Sequence, residues 1–158
     1  QSSLADEWKE KHALSGPRLI SCSDDRTVRI WRRVPNEPGD GGVIQPSGPD
    51  ENWKEEAILP RTHEMSVYAV AWSKKTGLVA TTGADGQIAV FEERFVPGSD
   101  LRTEWVNIAT VKGGHDIYEI NHISWARRAD RGREEGKEEE VLVTAADDGT
   151  VKVWALAP

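Results

Sequence analysis

Three copies of one string constrain this chain more than any other feature. SCSDDRTVRIW runs from Ser21 to Trp31, TTGADGQIAVF from Thr81 to Phe91, and TAADDGTVKVW from Thr144 to Trp154. Repetition on this scale means similar units, each unable to bury its own faces and each covered by its neighbours. Alignment on the aspartate six residues before the closing aromatic pairs Asp25 with Trp31, Asp85 with Phe91 and Asp148 with Trp154. Four residues before each aspartate stands a hydroxyl, Ser21, Thr81 or Thr144. Upstream of the second and third copies come VYAVAW, ending at Trp72, and INHISW, ending at Trp125, preceded by His63 and His115.

The pieces carry strand chemistry. VRIW, IAVF and VKVW alternate and are rich in β-branched and aromatic residues, and the Asp-Asp-Arg, Ala-Asp-Gly and Asp-Asp-Gly triplets before them suit tight hairpin turns. KEEAILP (54–60) and EWVNIATV (104–111) supply a further strand after two of the copies. With strands lettered A to D in each unit, the unit is a four-stranded meander. Strand A ends in Trp, and strand C ends in the closing aromatic.

The intervals exceed what such a unit needs. Asp25 to Asp85 is 60 residues and Asp85 to Asp148 is 63, against ~40–45 for a four-stranded repeat. The surplus is expected as flexible insertions at 34–52 and 92–103, between C and D, and at 127–140, between A and B. In an up-and-down meander these long loops share one face. The short turns, around 24–26, 63–66, 84–86, 115–119 and 147–149, share the other. Short turns hold side chains accurately, so Asp24, Arg26, Tyr68, Glu119 and Asn121 are the candidate partner-binding residues. Tyr68, Asn121 and His122 also break the apolar pattern of strand A, and hydrogen bonding inside the fold is the competing account of them.

Composition narrows the function. A formal charge of −7 disfavours a phosphate backbone as partner, because nonspecific nucleic-acid affinity rests on Lys and Arg. No apolar run approaches the ~20 residues of a membrane helix, so neither nucleic acid nor membrane is an expected partner. Cys22 is the single cysteine and reads as a buried, inert thiol in a strand. His, Ser/Thr and Asp together suggest a catalytic triad. Their recurrence in every unit favours mutual satisfaction of buried polar groups instead. No catalytic residue, metal ligand set or cofactor site is therefore expected; a metal site from His63, His115 and His122 would need separate units to converge, and no Cys/His cluster has ligand spacing.

The pattern of His, Ser/Thr, Asp and Trp resembles the WD-repeat family, whose four-stranded sheets are the blades of a β-propeller. The resemblance covers nearly the whole chain. It implies that His115, Thr144, Asp148 and Trp154 form a complete hydrogen-bonded brace, and that His63, Thr81 and Asp85 form a shorter one, since Phe91 has no indole N–H. Ser21, Asp25 and Trp31 are then a brace without its histidine. His12 stands too close to Asp25 to supply it. The tandem Trp-Asp dipeptide itself is missing, because Arg32, Glu92 and Ala155 follow the aromatics.

Counted in order, the strands run B, C, D, then A, B, C, D, then A, B, C. The expected fold is all-β: the C-terminal three blades, about ten strands, of a probable seven-bladed propeller. Residues 1–60 are an incomplete blade beginning in an A–B loop, 61–111 a blade, and 112–158 a last blade lacking its outer strand. The N-terminal part of the same propeller is the first expected partner. SCSDDRTVRIWR, the Gly/Pro-rich insertion, HEMSVYAVAW, the Phe91 substitution and YEINHISW resemble, within the family, the cytosolic iron-sulfur assembly WD-repeat proteins of fungi. That resemblance implies a non-enzymatic scaffold working with a small acidic partner, a HEAT-repeat adaptor and a hydrogenase-like iron-sulfur protein, in the cytoplasm and also the nucleus. A ubiquitin-ligase substrate receptor or a transcription elongation accessory subunit would share every brace feature.

Overall fold

In the computed structural model, residues 6–8, 10, 16–34, 52–98 and 102–157 are described. Ten strands form three antiparallel sheets, each a meander of sequence neighbours. The first holds β1 (Arg18–Cys22), β2 (Val28–Val34) and β3 (Asn52–Ile58). The second holds β4 (Val67–Trp72), β5 (Val79–Gly83), β6 (Ile88–Phe95) and β7 (Thr103–Val111). The third holds β8 (Ile120–Arg127), β9 (Glu140–Ala146) and β10 (Val151–Trp154). This is the order read from the repeats, B-C-D, A-B-C-D and A-B-C.

Alternation along the middle sheet explains how the units stack. On β6, Ala89 and Phe91 point into one apolar cluster with Val28, Ile30, Leu59, Val67, Val79 and Trp105. Ile88 and Val90 point into the other, with Ala69, Ala80, Ile120, Ile123 and Leu142. Successive side chains of a strand face opposite sides, so the middle sheet is covered on both faces and joins the other two. All five residues of β5 are buried. At the far edge, Val151 and Val153 of β10 are exposed.

Polar links reinforce the junctions. Arg18 reaches from β1 to Glu93 at 2.7 Å and to Glu56 at 3.4 Å, and its guanidinium lies 4.8 Å from the Trp72 ring centre. Burial raises the Glu93 carboxyl above its ordinary range, an effect that a hydrogen bond from Thr103 and the charge of Arg18 only partly offset. The Trp125 indole donates to the Ala71 carbonyl at 3.1 Å, linking strand A of one sheet to strand A of the next.

The insertions behave differently from one another. Most of 34–52 lies outside the described residues. The segment 92–103 differs from the expected flexible loop: Glu92 through Phe95 continue β6, paired with Val106 back through Thr103 on β7. Charged side chains do not prevent ladder hydrogen bonds, which is why composition misreads it. The segment 127–140 is also tied down. Arg127 pairs with Glu140, Arg128 bonds Asp130 and Glu139, and Glu138 and Glu140 reach back to Lys75 (2.9 Å) and Ser73 (2.5 Å) of the preceding sheet.

Candidate protein-interaction site

The repeated polar residues form two braces. His115 Nδ1 lies 2.8 Å from Asp148 Oδ2 and its Nε2 lies 2.7 Å from Thr144 Oγ1, which also accepts from the Trp154 indole at 2.9 Å. The Asp148 carboxylate can only accept, so Nδ1 of the neutral ring carries the proton and Nε2 accepts from Thr144, which in turn accepts from the indole. In the middle sheet, His63 Nδ1 lies 3.1 Å from both Asp85 oxygens and Nε2 lies 2.7 Å from Thr81 Oγ1. Both hydroxyls are fully buried. In the first sheet the Trp31 indole donates to Ser21 at 2.9 Å, while exposed Asp25 turns to the Thr27 amide and hydroxyl at 2.9 and 2.6 Å.

These contacts tie strands of one sheet to the turn beside them. Each histidine is enclosed and its two nitrogens are used by a hydroxyl and a carboxylate of its own sheet. No group of three or more His, Cys, Asp or Glu among the described residues is placed to hold a metal. Burial pushes the Asp148 carboxyl up, but bonds from the Thr150 amide and hydroxyl and from His115 prevail and hold it down to about 2. Burial likewise raises the Cys22 thiol.

The short-turn face has a different character. Strand A departs from regular pairing at one residue in each complete case: Val67 and Ala69 flank a register break at Tyr68, and Ile120 and His122 flank one at Asn121. A bulge re-aims the extra side chain out of the ladder. Both residues are exposed. The Tyr68 hydroxyl donates to Glu119 at 3.0 Å, and the Asn121 amide donates to Asp147 at 2.6 Å. Donation to Glu119 raises the phenol above its ordinary value, with burial and the Glu119, Asp24 and Asp147 charges adding to the effect.

Of the predicted candidates, Asp24, Tyr68, Glu119 and Asn121 thus come from three sheets to one neighbourhood. The Val67 amide donates to the Ser23 carbonyl at 3.1 Å, which sets the Asp24 turn beside the start of β4. Arg26 is exposed on the same turn, at a φ of 70°, where the equivalent positions of the other two units are Gly86 and Gly149 at 68° and 75°. A non-glycine residue there is strained by ~1 kcal/mol or more. Asp116, before β8, is the other non-glycine residue with positive φ among those described.

Sequence reasoning missed four residues on this face. Asp147 is the partner of Asn121, and Ile117, Met65 and Tyr118 are apolar yet 87%, 51% and 45% exposed. Met65 and Ile117 each stand two residues after a brace histidine. That recurrence was the available signal.

The comparisons agree with the geometry. The family described as WD domain, G-beta repeat matches residues 11–32, 54–92 and 107–155. The chain belongs to the WD-repeat family. Its three sheets are blades. The chain is 58% identical, over 95% of its length, to the probable cytosolic iron-sulfur protein assembly protein 1 of Aspergillus terreus. It is 55% identical over 98% to that of Aspergillus clavatus and 54% over 98% to that of Penicillium rubens. It spans 42%, 41% and 40% of those relatives, so less than half of each.

Proposed function

We propose that this chain contributes three blades to a scaffold protein of cytosolic iron-sulfur cluster assembly, which delivers clusters to cytosolic and nuclear apoproteins through protein contacts and without catalysis. The similarity to the fungal assembly proteins across almost the whole chain carries this reading. The internal chemistry supports a scaffold: both described braces use up their histidines and carboxylates, and Cys22 is an isolated thiol raised by burial. The cluster is cargo of the assembly, held by other components. The expected components are a small acidic protein, a HEAT-repeat adaptor and a hydrogenase-like iron-sulfur protein, working in the cytoplasm and also in the nucleus.

The remaining part of the same propeller is the first partner. β1 pairs with β2 on one edge, and a cavity of about 590 Å³ runs between Arg18–Ile20 and Trp72–Lys74. In the other two sheets strand A pairs with strand B, as β4 with β5 and β8 with β9. A strand of that type from the rest of the protein fits the edge of β1 that pairs with no described strand. The partner-binding residues are Asp24, Arg26, Tyr68, Glu119 and Asn121.

Affinity purification of the full-length protein from its own cells tests the assignment. Co-isolation of iron-sulfur assembly components at near-stoichiometric levels is expected; a ubiquitin ligase or elongation complex in their place refutes it. Arg26→Gly separates the roles of the strained turn. It should raise the melting temperature while weakening the partner complex, and weakened folding would show that Arg26 is structural.

A further inference from the structure

The short-turn face joins exposed apolar side chains to carboxylates that have no cationic partner. Ile117 and Tyr118 occupy the turn that leads into Glu119, and Glu119 holds the Tyr68 hydroxyl, so the 41% exposed Tyr68 ring is fixed in orientation beside them. Asp24, Glu119 and Asp147 form no ion pair with any described residue, unlike the carboxylates of the opposite face, where Glu56, Glu93, Glu138 and Glu139 are all paired. The turns themselves are rigid. The Asp147 amide donates to the Glu119 carbonyl at 3.0 Å, and the Gly86 turn packs against the Tyr118 carbonyl, where a Cβ would stand at 2.9 Å.

We propose that this surface docks a basic segment of a partner protein, with one Lys or Arg side chain over the Tyr68 ring among Asp24, Glu119 and Asp147, and an apolar neighbour against Ile117 and Tyr118. A cation over an aromatic face is attracted by the ring quadrupole, and nearby carboxylates add charge complementarity. A metal ion is the poorer fit, because no described acidic group is close enough to two others to share one. Apolar residues this exposed have no use to a small polyamine, whereas they supply the anchor contact of a protein interface. The inference rests on the short-turn face being the partner face of the scaffold, and it adds the chemistry of what binds there.

Fluorescence anisotropy on the full-length protein tests it with two labelled hexapeptides, Gly-Arg-Leu-Arg-Leu-Gly and Gly-Glu-Leu-Glu-Leu-Gly. The arginine peptide is expected to bind and the glutamate peptide is not. Combined Asp24→Asn, Glu119→Gln and Asp147→Asn substitution should weaken the arginine peptide by about tenfold or more, with a reduced salt dependence. Asp24→Asn alone, whose carboxylate makes no described bond, should still weaken it about threefold and leaves the fold intact. Glu135→Gln with Glu138→Gln, on the opposite face, should change nothing. Equal binding of the two peptides, no binding of the arginine peptide, or an equal loss in the Glu135 and Glu138 variant overturns the proposal. Co-purification is scored separately: assembly components retained without arginine-peptide binding refute this inference alone, and the converse refutes the assignment of function alone.

Discussion

The middle and last blades share a repeat but close it by different physics. In the last blade, Trp154 completes a chain of four polar residues through Thr144 and His115 to Asp148. In the middle blade, Phe91 stands at that position, 1% exposed, inside a cluster with Ile30, Val79 and Trp105. One is locked by a donated proton and the other by buried apolar area. The middle blade is covered on both faces, so Phe91 sits wholly among apolar side chains. A closing residue buried on all sides gains most from hydrophobic contact.

Phe91→Ala should break the middle blade hardest, by about 4 kcal/mol, from lost transfer energy plus a cavity. Urea unfolding of the full-length protein measures it. His63→Ala should follow at about 3 kcal/mol, because it leaves the buried Thr81 hydroxyl without its partner and removes one of the three donors of the Asp85 carboxylate. Trp154→Phe, which gives the last blade the closure of the middle one, should lose only about 1 kcal/mol, the net value of one hydrogen bond at a partly exposed site. If it cost as much as Phe91→Ala, the contrast between the closures would fail. Arg26→Gly should raise stability by about 1 kcal/mol by releasing a strained φ.

Acid should affect the last blade in a defined window. The Asp148 carboxyl is lowered in the folded state to about 2, below the ordinary ~4 of an unfolded chain. Its contribution is therefore complete above pH ~4 and is lost as pH falls from there through about 2. Asp148→Asn should flatten that part of the profile, which acid titration monitored by tryptophan fluorescence near Trp154 reads directly.

Much of the fold was legible because each level agreed with the next. The spacing of His115, Thr144, Asp148 and Trp154 encodes a network whose members can satisfy one another, and these residues are joined by three hydrogen bonds. The strand order came from the same repeats. Strand extension beyond the repeats was not legible: Glu92–Phe95 pair with Val106 back through Thr103 although their charges read as loop, because pairing depends on the partner strand and not on local hydropathy. On the candidate face, Tyr68 and Asn121 were visible as polar residues in an apolar strand. Their hydrogen-bond partners were not, since Glu119 lies 51 residues from Tyr68 and Asp147 lies 26 from Asn121.

The sequence by itself determined the unit, its strand order and the identity of the braces, because these follow from periodicity and from the donor and acceptor inventory of nearby residues. Tertiary structure alone decided which side chains converge. It set Asp24, Tyr68 and Glu119 from three blades on one face, turned Tyr68 and Asn121 outward through bulges, and left Ile117 in solvent. Stacking of separate sheets fixes those relations, and no local pattern in the chain records which residues of different sheets will meet.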